Sequence, residues 1–527
     1  MANKGRMAGV LILLSLSLFM SGCAVQGDSK GLITVSPGSA VVKFGATKKF
    51  SAAPVATTFT WSVNGLDGGN SSVGTIDADG LYAAPLGPVE STENVTIRAT
   101  NSAGSSGTAK VFLTNFEANT RLTQYTMGAF RANTYSAGQK SIAVYKDINE
   151  HVNIYTVWAD DSLGVSQVWF TKSSNNGDDF CTPVRVDDVG FFADQFSPSI
   201  AVDSGGNVYV AWEDERDGDA DIYVARYEGI DCPWATSPFT SPVKVNQSRD
   251  VGISSRESSP AIAVDPNGVI YVTWEDRFDG SENYPDIYIA TSNNLGLTFP
   301  TNTFIADAGR RPSIAIDSLG TAYVVWEDLT EFPGFFNPLP THIKIRRIVN
   351  GVPNTQARVD TQLPSGYNAR FPSVAIGPGG KVYVVWQRAL ILNPGFSGEI
   401  ISTYDMDLAK VDGNTLNVDN TTLSFPHDPN VGFYGGPAYP TIVADIGNIY
   451  VAWDDQRNGT KDIYFARSSN GAIFTTNRIV NDETGTWHEK PGIAVSDGKA
   501  YVIWTDYRNT STVTSISPND VFFAKEN

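Results

Sequence analysis

The sequence predicts an all-β protein, a seven-bladed β-propeller preceded by a β-sandwich, and three observations carry that prediction. First, residues 198–214 read PSIAVDSGGNVYVAWED and return as PAIAVDPNGVIYVTWED (260–276), PSIAIDSLGTAYVVWED (312–328) and PSVAIGPGGKVYVVWQR (372–388). Shorter copies start at Pro440 and Pro491, and a degenerate first copy spans 141–161, which makes seven. Second, one tryptophan marks each copy: Trp158, Trp212, Trp274, Trp326, Trp386, Trp453 and Trp504, at intervals between 51 and 67 residues. A period of that size with strand signals alone belongs to propeller blades and not to helical solenoids. Third, 48 Gly and 28 Pro, with 11% aromatic and only 18% charged residues, suit turns and strands.

In chain order, the first 22 residues read as a signal peptide. Lys4 and Arg6 precede an apolar run over 10–19 that is too short to span a membrane, and small residues follow. Met20-Ser21-Gly22-Cys23 resembles a bacterial lipobox, with Met in place of the usual Leu. That resemblance implies lipidation of Cys23, a tether over 23–30, and an exported protein of the cell envelope, anchored by lipid to the outer or cell membrane. No other membrane attachment is expected.

Residues 31–114 alternate in short runs such as AVVKFG, TFTWSVNG and NVTIRATN between Gly, Asn, Asp and Pro turns, the pattern of a β-sandwich. The segment around Trp61-Ser-Val-Asn-Gly, with GTIDADGLYAAP over 74–85, resembles bacterial immunoglobulin-like domains of group 2. The resemblance implies an Ig-like spacer or adhesive module whose core rests on Trp61 and aliphatics, since no cysteine pair lies inside it.

Residues 115–527 hold the repeats. Each reads as strand, Gly or Asn turn, strand ending at the tryptophan, polar loop, third strand and fourth strand. The last copy ends without a fourth strand, and an unclosed ring would expose sheet edges. The segment 121–130 is therefore expected to complete it. Cys181 and Cys232 follow the third strands of neighbouring copies, and either a disulfide or two buried thiols satisfies the spacing.

Several turns after third strands, best at Ser292-Asn-Asn294-Leu-Gly296-Leu-Thr298-Phe299, resemble the Asp-box of sialidase-like propellers. Ser173-Ser-Asn175-Asn-Gly177 is a weaker case, and Ser468-Ser-Asn-Gly471 is one residue short. Arg370-Phe-Pro resembles the sialidase Arg-Ile-Pro motif, and Arg310-Arg311-Pro repeats it one copy earlier. The resemblance implies arginines at the central mouth that orient an anionic sugar, with Arg310 and Arg370 in the same sector. It also calls for three arginines, a tyrosine–glutamate pair and an aspartate; Tyr367, Tyr434, Tyr439, Glu257 and Glu489 lie near first-strand starts, but no spacing selects a pair. Trp487-His488-Glu489 leads into an innermost strand and adds a candidate stacking platform.

The loops after the tryptophans repeat carboxylate and arginine, as in Asp214 with Arg216, Asp455 with Arg457 and Asp506 with Arg508. Recurrence points to structural pairing that fastens neighbouring loops. Asp217, Asp219 and Asp221 alternate as a calcium loop does but lack the glycine of an EF-hand, so calcium is a weak candidate and no other cofactor is expected. A formal charge of −18 disfavours nucleic acid as a partner. The leading expectation is a surface binding protein that recognises a glycan or protein through the propeller's central face. An exo-sialidase-type glycoside hydrolase and a structural envelope lipoprotein stand as alternatives.

Overall fold

The computed structural model describes residues 32–54, 58–87, 93–123, 132–133, 138–187, 193–234, 236–247, 255–277, 285–330, 341–392, 400–425, 438–509 and 519–527. The segments expected to form a signal peptide and tether, with Cys23, and Tyr434 lie outside them. The described chain is all-β apart from one turn of 3-10 helix, Pro378–Gly380.

The N-terminal unit contains a five-stranded sheet (Ser39–Lys43, Ser106–Thr114, Asn94–Asn101, Phe59–Val63 and Leu66–Asp67 in spatial order) and a four-stranded sheet built on Thr47–Lys49 and Leu81–Ala83. Both contribute to one core, in which Phe50, Trp61, Tyr82 and Val111 are buried. Alternation supplies it: in Asn94–Asn101, Val95, Ile97 and Ala99 point inward. The unit packs on the ring that follows. Thr114 Oγ1 donates to the Ile479 carbonyl at 2.6 Å, Lys110 Nζ to Asn458 at 3.1 Å, and Arg478 stacks over Phe44 at 5.0 Å.

In the rest of the chain, strands pair in sequence order from the axis outward, as in Gln195–Val202, Val208–Asp214, Asp221–Arg226 and Val243–Lys244. Innermost strands of successive sheets touch. Gln195–Val202 meets Arg256–Val264, then follow Gly309–Ile316, Tyr367–Gly377, Ala438–Ala444 and His488–Ser496; the last meets Ile142–Lys146, which returns to Gln195–Val202. Sheets arranged in a closed circle about an axis make a β-propeller.

Two devices join the sheets. Aliphatic faces pack between neighbours, which is why the first two strands of a repeat are apolar on both sides. A serine near the start of several innermost strands also accepts an N–H from the next sheet: Ser199 from Ile262 (3.4 Å), Ser313 from Val374 (3.4 Å) and Ser373 from Ile442 (3.3 Å).

The proline and tryptophan of the repeat explain each other. Opposite Trp326 the first strand carries two residues, Arg311 and Pro312, so the ladder bulges there. The same shift faces Trp212, Trp274, Trp386, Trp453 and Trp504. Proline has no ladder N–H to lose at a bulge of the innermost strand. All seven marker tryptophans are buried, at 0% or 1% exposure, so they belong to the frame of the ring.

The ring closes with chain from its N-terminal side. Thr120–Arg121 pairs with Asp520–Lys525 as the outer strand of the last sheet, and Arg121 reaches Asp520 at 2.6 Å. This lies at the start of the segment expected from sequence; residues 124–131 fall outside the description. A disulfide joins Cys181 to Cys232, with Cα atoms 6.0 Å apart. The Asp-box-like turns share one geometry: Ser292 Oγ accepts Gly296 N and Asn294 Oδ1 accepts Thr298 N, with Phe299 buried beneath. Ser173 and Ser468 repeat the arrangement.

The junction of the last and first sheets gives a test. A Cβ on Gly492 would collide with Ser141 Oγ, a buried hydroxyl with no hydrogen-bond partner. Gly492→Ala is expected to cost about 1–3 kcal/mol through overpacking. Adding Ser141→Ala should restore most of it, measured by thermal unfolding of both variants and the pair.

Candidate functional site

The bulges do more than accommodate proline. The residue before each proline sits in the left-handed region: Ser197 at φ 50°, Ser259 at 55°, Arg311 at 51°, Phe371 at 54°, Tyr439 at 47° and Lys490 at 56°. For a residue with a Cβ this costs about 1–2 kcal/mol. At three of these six bulges the compensation comes from the residue after the marker tryptophan of the preceding sheet. Buried Glu275 accepts Arg311 N at 2.8 Å, Glu327 accepts Phe371 N at 2.6 Å, and Asp454 accepts Lys490 N at 3.1 Å. Glu213 reaches the following sheet through Arg256 at 3.0 Å. A hydrogen bond to a carboxylate contributes about 1.5–3 kcal/mol, enough to offset the strained φ.

The bulge residues vary, and on one side of the mouth they form an arc. Arg311 binds Glu327 at 2.6 Å and lies over the Phe371 ring at 4.4 Å. Phe371 contacts Tyr439 with centroids 4.7 Å apart. Lys461 Nζ then stands 5.5 Å from the Tyr439 ring and 5.4 Å from the Trp487 ring. It is held by Asp454 at 3.5 Å and Glu489 at 3.4 Å. Tyr507 completes the arc, donating its hydroxyl to Glu489 Oε1 at 3.1 Å and its backbone N–H to the Trp487 carbonyl at 2.9 Å. Arg311, Phe371, Tyr439, Trp487 and Glu489 are all half-buried, so each keeps surface at the mouth.

Burial dominates the titration of these groups. It pushes Asp454 up to about 6, with Glu489 adding to the shift and Lys461 opposing it. Burial works against the Lys461 ammonium, but Asp454 and Glu489 more than reverse it and hold its pKa well above the usual lysine value. Burial works against the Arg311 guanidinium, but Glu327, with Glu275 adding to it, more than reverses the effect and holds its pKa above the usual value. Tyr507 is pushed up to about 12 by burial and then by Glu489. Tyr439 rises for the same first reason, with Asp454 adding to it.

The structure brings some of the residues singled out in the sequence together and leaves others apart. Arg311, Tyr439, Trp487 and Glu489 come together. Arg310 and Arg370 instead hold the ladder place just before the bulge, opposite Glu327 and Gln387, and it is Arg311 that stacks on the aromatic arc. Burial lowers the Arg310 pKa, against Glu275. His488 is a correction: it is fully buried, with Nδ1 against the Lys461 carbonyl at 3.0 Å and Nε2 against Thr486 at 3.2 Å. Strand alternation turns it inward while Trp487 and Glu489 face the other way. Phe371, Lys461, Asp454 and Tyr507 were missed. The available signal was the position itself, since the residue after each tryptophan and the one before each proline meet across sheets.

Two further expectations change. Of the three acids weighed for calcium, Asp217, Asp219 and Asp221, two are taken up by protein groups: Asp221 binds Lys244 at 2.6 Å and Asn246 at 2.8 Å, while Asp217 accepts the Tyr223 hydroxyl. The Lys244 ammonium thus lies between these two carboxylates, 4.0 Å from Asp217. The repeated Asp and Arg after the tryptophans pair within one loop, and some of these arginines reach neighbouring segments as well, Arg508 meeting Asp482 at 2.9 Å and Arg457 meeting Glu93 at 3.6 Å. Arg216 meets Asp214 at 2.6 Å and stacks on Tyr223 at 4.5 Å; Arg508 meets Asp506 at 2.8 Å and stacks on Phe522 at 3.9 Å. Glu483, His488 and Asp506 could approach a metal together, but Arg508 already holds Asp506.

A cavity of about 660 Å³ lies away from the mouth, at the rim beside Asn115, Arg467, Phe474 and Arg478. Arg467 is bound to Glu526 at 3.1 Å and Arg478 stacks on Phe44, so this is the seam between ring and N-terminal unit.

No family model matches this chain, and no curated protein matches it. Among solved structures it is similar to polysaccharide lyase Uly1, at 10% identity and a TM-score of 0.48 over 79% of this chain and 98% of that one. It is also similar to a Penicillium chrysogenum alpha-L-arabinanase complexed with arabinobiose (13% identity, TM-score 0.41, 63% of this chain and 92% of that one). A Hadza microbial sialidase gives 9% identity and a TM-score of 0.41 over 76% of each chain. Likeness this distant carries no argument about chemistry.

Asp454 gives a pH test. Its folded pKa of about 6 lies above the ordinary value of 3.8, so the native state holds the proton more tightly than the unfolded one. Stability from this group is therefore present at low pH and lost as pH rises from about 4 to about 6. Asp454→Asn should flatten that part of the curve, read as thermal midpoint against pH.

Proposed function

We propose that this chain is an exported, lipid-anchored binding protein of the cell envelope, in which a seven-bladed, sialidase-like propeller carried by an Ig-like sandwich recognises a glycan. The blade count is supported by the sheets of the described residues, and the sialidase-like reading by the three serine-anchored turns. The observation that carries the function is the arc from Arg311 through Phe371 and Tyr439 to Trp487. Aromatic faces offer stacking surface to sugar rings, while Glu489, Lys461 and Arg311 offer hydrogen bonds beside them. The charges are matched in pairs, so the arc presents polarity without a large net field. That suits a ligand rich in hydroxyls.

A second reading, hydrolysis of the sialidase type, has one observation behind it: the contact between Tyr507 and Glu489. Its electrostatics weigh against it. A nucleophile is activated by a depressed pKa, and burial with Glu489 pushes the Tyr507 hydroxyl the other way, to about 12.

A glycan array, run beside a fluorogenic sialoside assay, separates the readings. Binding without turnover is expected, with affinity for the selected glycan falling about 10- to 100-fold in Trp487→Ala and in Tyr439→Ala. Turnover that Tyr507→Phe abolishes would replace binding with hydrolysis, and silence in both assays would leave the protein as a structural component.

A further inference from the structure

The first repeat departs from the others at one position. Aligned on its serine, Lys140-Ser141-Ile142-Ala143 stands where Pro198-Ser199-Ile200-Ala201 and its relatives stand, so a lysine replaces a buried proline. The departure has structural consequences. Instead of bulging against Trp158, residues 138–140 leave the sheet, and the end of the second strand, Val152–Asp160, pairs with Ala132–Asn133. Gly138, at φ 107°, is pressed against Pro312 in the innermost strand of a sheet across the ring; a Cβ there would strike the Pro312 carbonyl oxygen and stand 3.4 Å from the Ser313 Cα. Lys140, two residues later, is back beside the neighbouring sheet, donating its N–H to Ser199 Oγ at 3.2 Å and accepting Ile200 N at 2.8 Å. Residues 138–140 thus cross the axial channel and stop it.

Below this stopper lies a cavity of about 380 Å³, walled by innermost strands from around the ring. Its other lining residues are Ala, Ile and Val from two to four places beyond the repeat's proline position. Lys140 is at that position and also lines the cavity, as its one charged residue. Lys140 retains accessible surface although it lies deep in the molecule, as a group bordering an internal space does. No carboxylate lines the cavity among the described residues. Burial is the one cause acting on the ammonium, and it lowers the pKa. A buried charge without a counter-charge is costly, and a counter-ion removes that cost.

We propose that the axial channel is a binding site for a small organic carboxylate, with the Lys140 ammonium pairing the carboxylate and the Ala, Ile and Val walls enclosing its carbon chain. The volume is that of a small-molecule pocket, and a single charged residue among apolar walls is the lining such pockets use to orient a ligand. The site is separate from the aromatic arc and does not depend on the glycan reading.

The full mature chain is titrated with sodium acetate and sodium butyrate, with sodium chloride at matched ionic strength, and followed by thermal midpoint and calorimetry. Saturable binding of the carboxylates is expected, tighter for butyrate, and weaker by about tenfold or more in Lys140→Met. Lys140→Arg should retain part of it. A second readout follows the lysine Cε–Hε NMR signal that disappears in Lys140→Arg: butyrate should raise its titration midpoint. Equal binding in wild type and Lys140→Met, an equal response to chloride, or an unmoved Lys140 signal overturns the proposal. If Lys140→Met fails to fold, the NMR midpoint in the wild-type chain decides alone.

Discussion

The ring depends on a hydrogen bond made between sheets, not within them. A carboxylate placed directly after a buried tryptophan reaches forward and holds the N–H of a left-handed residue in the next innermost strand, as Glu275 does for Arg311, Glu327 for Phe371 and Asp454 for Lys490. One bond does three things: it offsets the strain of the bulge, sets the angle at which the next sheet starts, and keeps a negative charge at the rim. It also fixes where a variable side chain emerges. The framework repeats while the residue it presents does not.

That division of labour explains why the mouth is uneven. Ser197 and Ser259 present little on their side, whereas Arg311, Phe371, Tyr439 and Lys490 present bulk and charge on theirs. Lys461 joins the two halves of the arc because it stands between two aromatic rings and between two carboxylates at once. Removing any single charge there leaves another one buried beside it, so these groups behave as a set.

The ring was legible in the sequence because its determinants recur: tryptophan, proline and a glycine or asparagine turn, at intervals that fit propeller blades. The N-terminal core was legible from alternation around Trp61 and Val95 to Ala99. The site was legible only as a neighbourhood. Arg310 and Arg311 are adjacent in sequence, and what separates them is one φ angle at a bulge, which no pattern of hydrophobicity encodes. His488 shows the converse, since its polar character suggested a site while its place in the alternation put it in the core. Phe371 and Lys461 were invisible because their importance arises from partners on other sheets. The first repeat looked like a degraded copy, yet its Lys140 marks where the chain does something the other repeats do not.

The clasp at Thr120–Arg121 has a mechanical side. The chain passes from the N-terminal unit directly into the strand that closes the ring, so tension applied along that chain and resisted at the mouth would run through this clasp. Two paired residues with the Arg121–Asp520 contact would be a weak joint on their own. The load is shared, because Phe116 packs into the core between the last two sheets, Asn119 and Asp482 each donate a backbone N–H to the other's side-chain oxygen, and Thr114 is tied to Ile479. Those contacts lie upstream of the clasp, where they take up a pull before it reaches the closing strand.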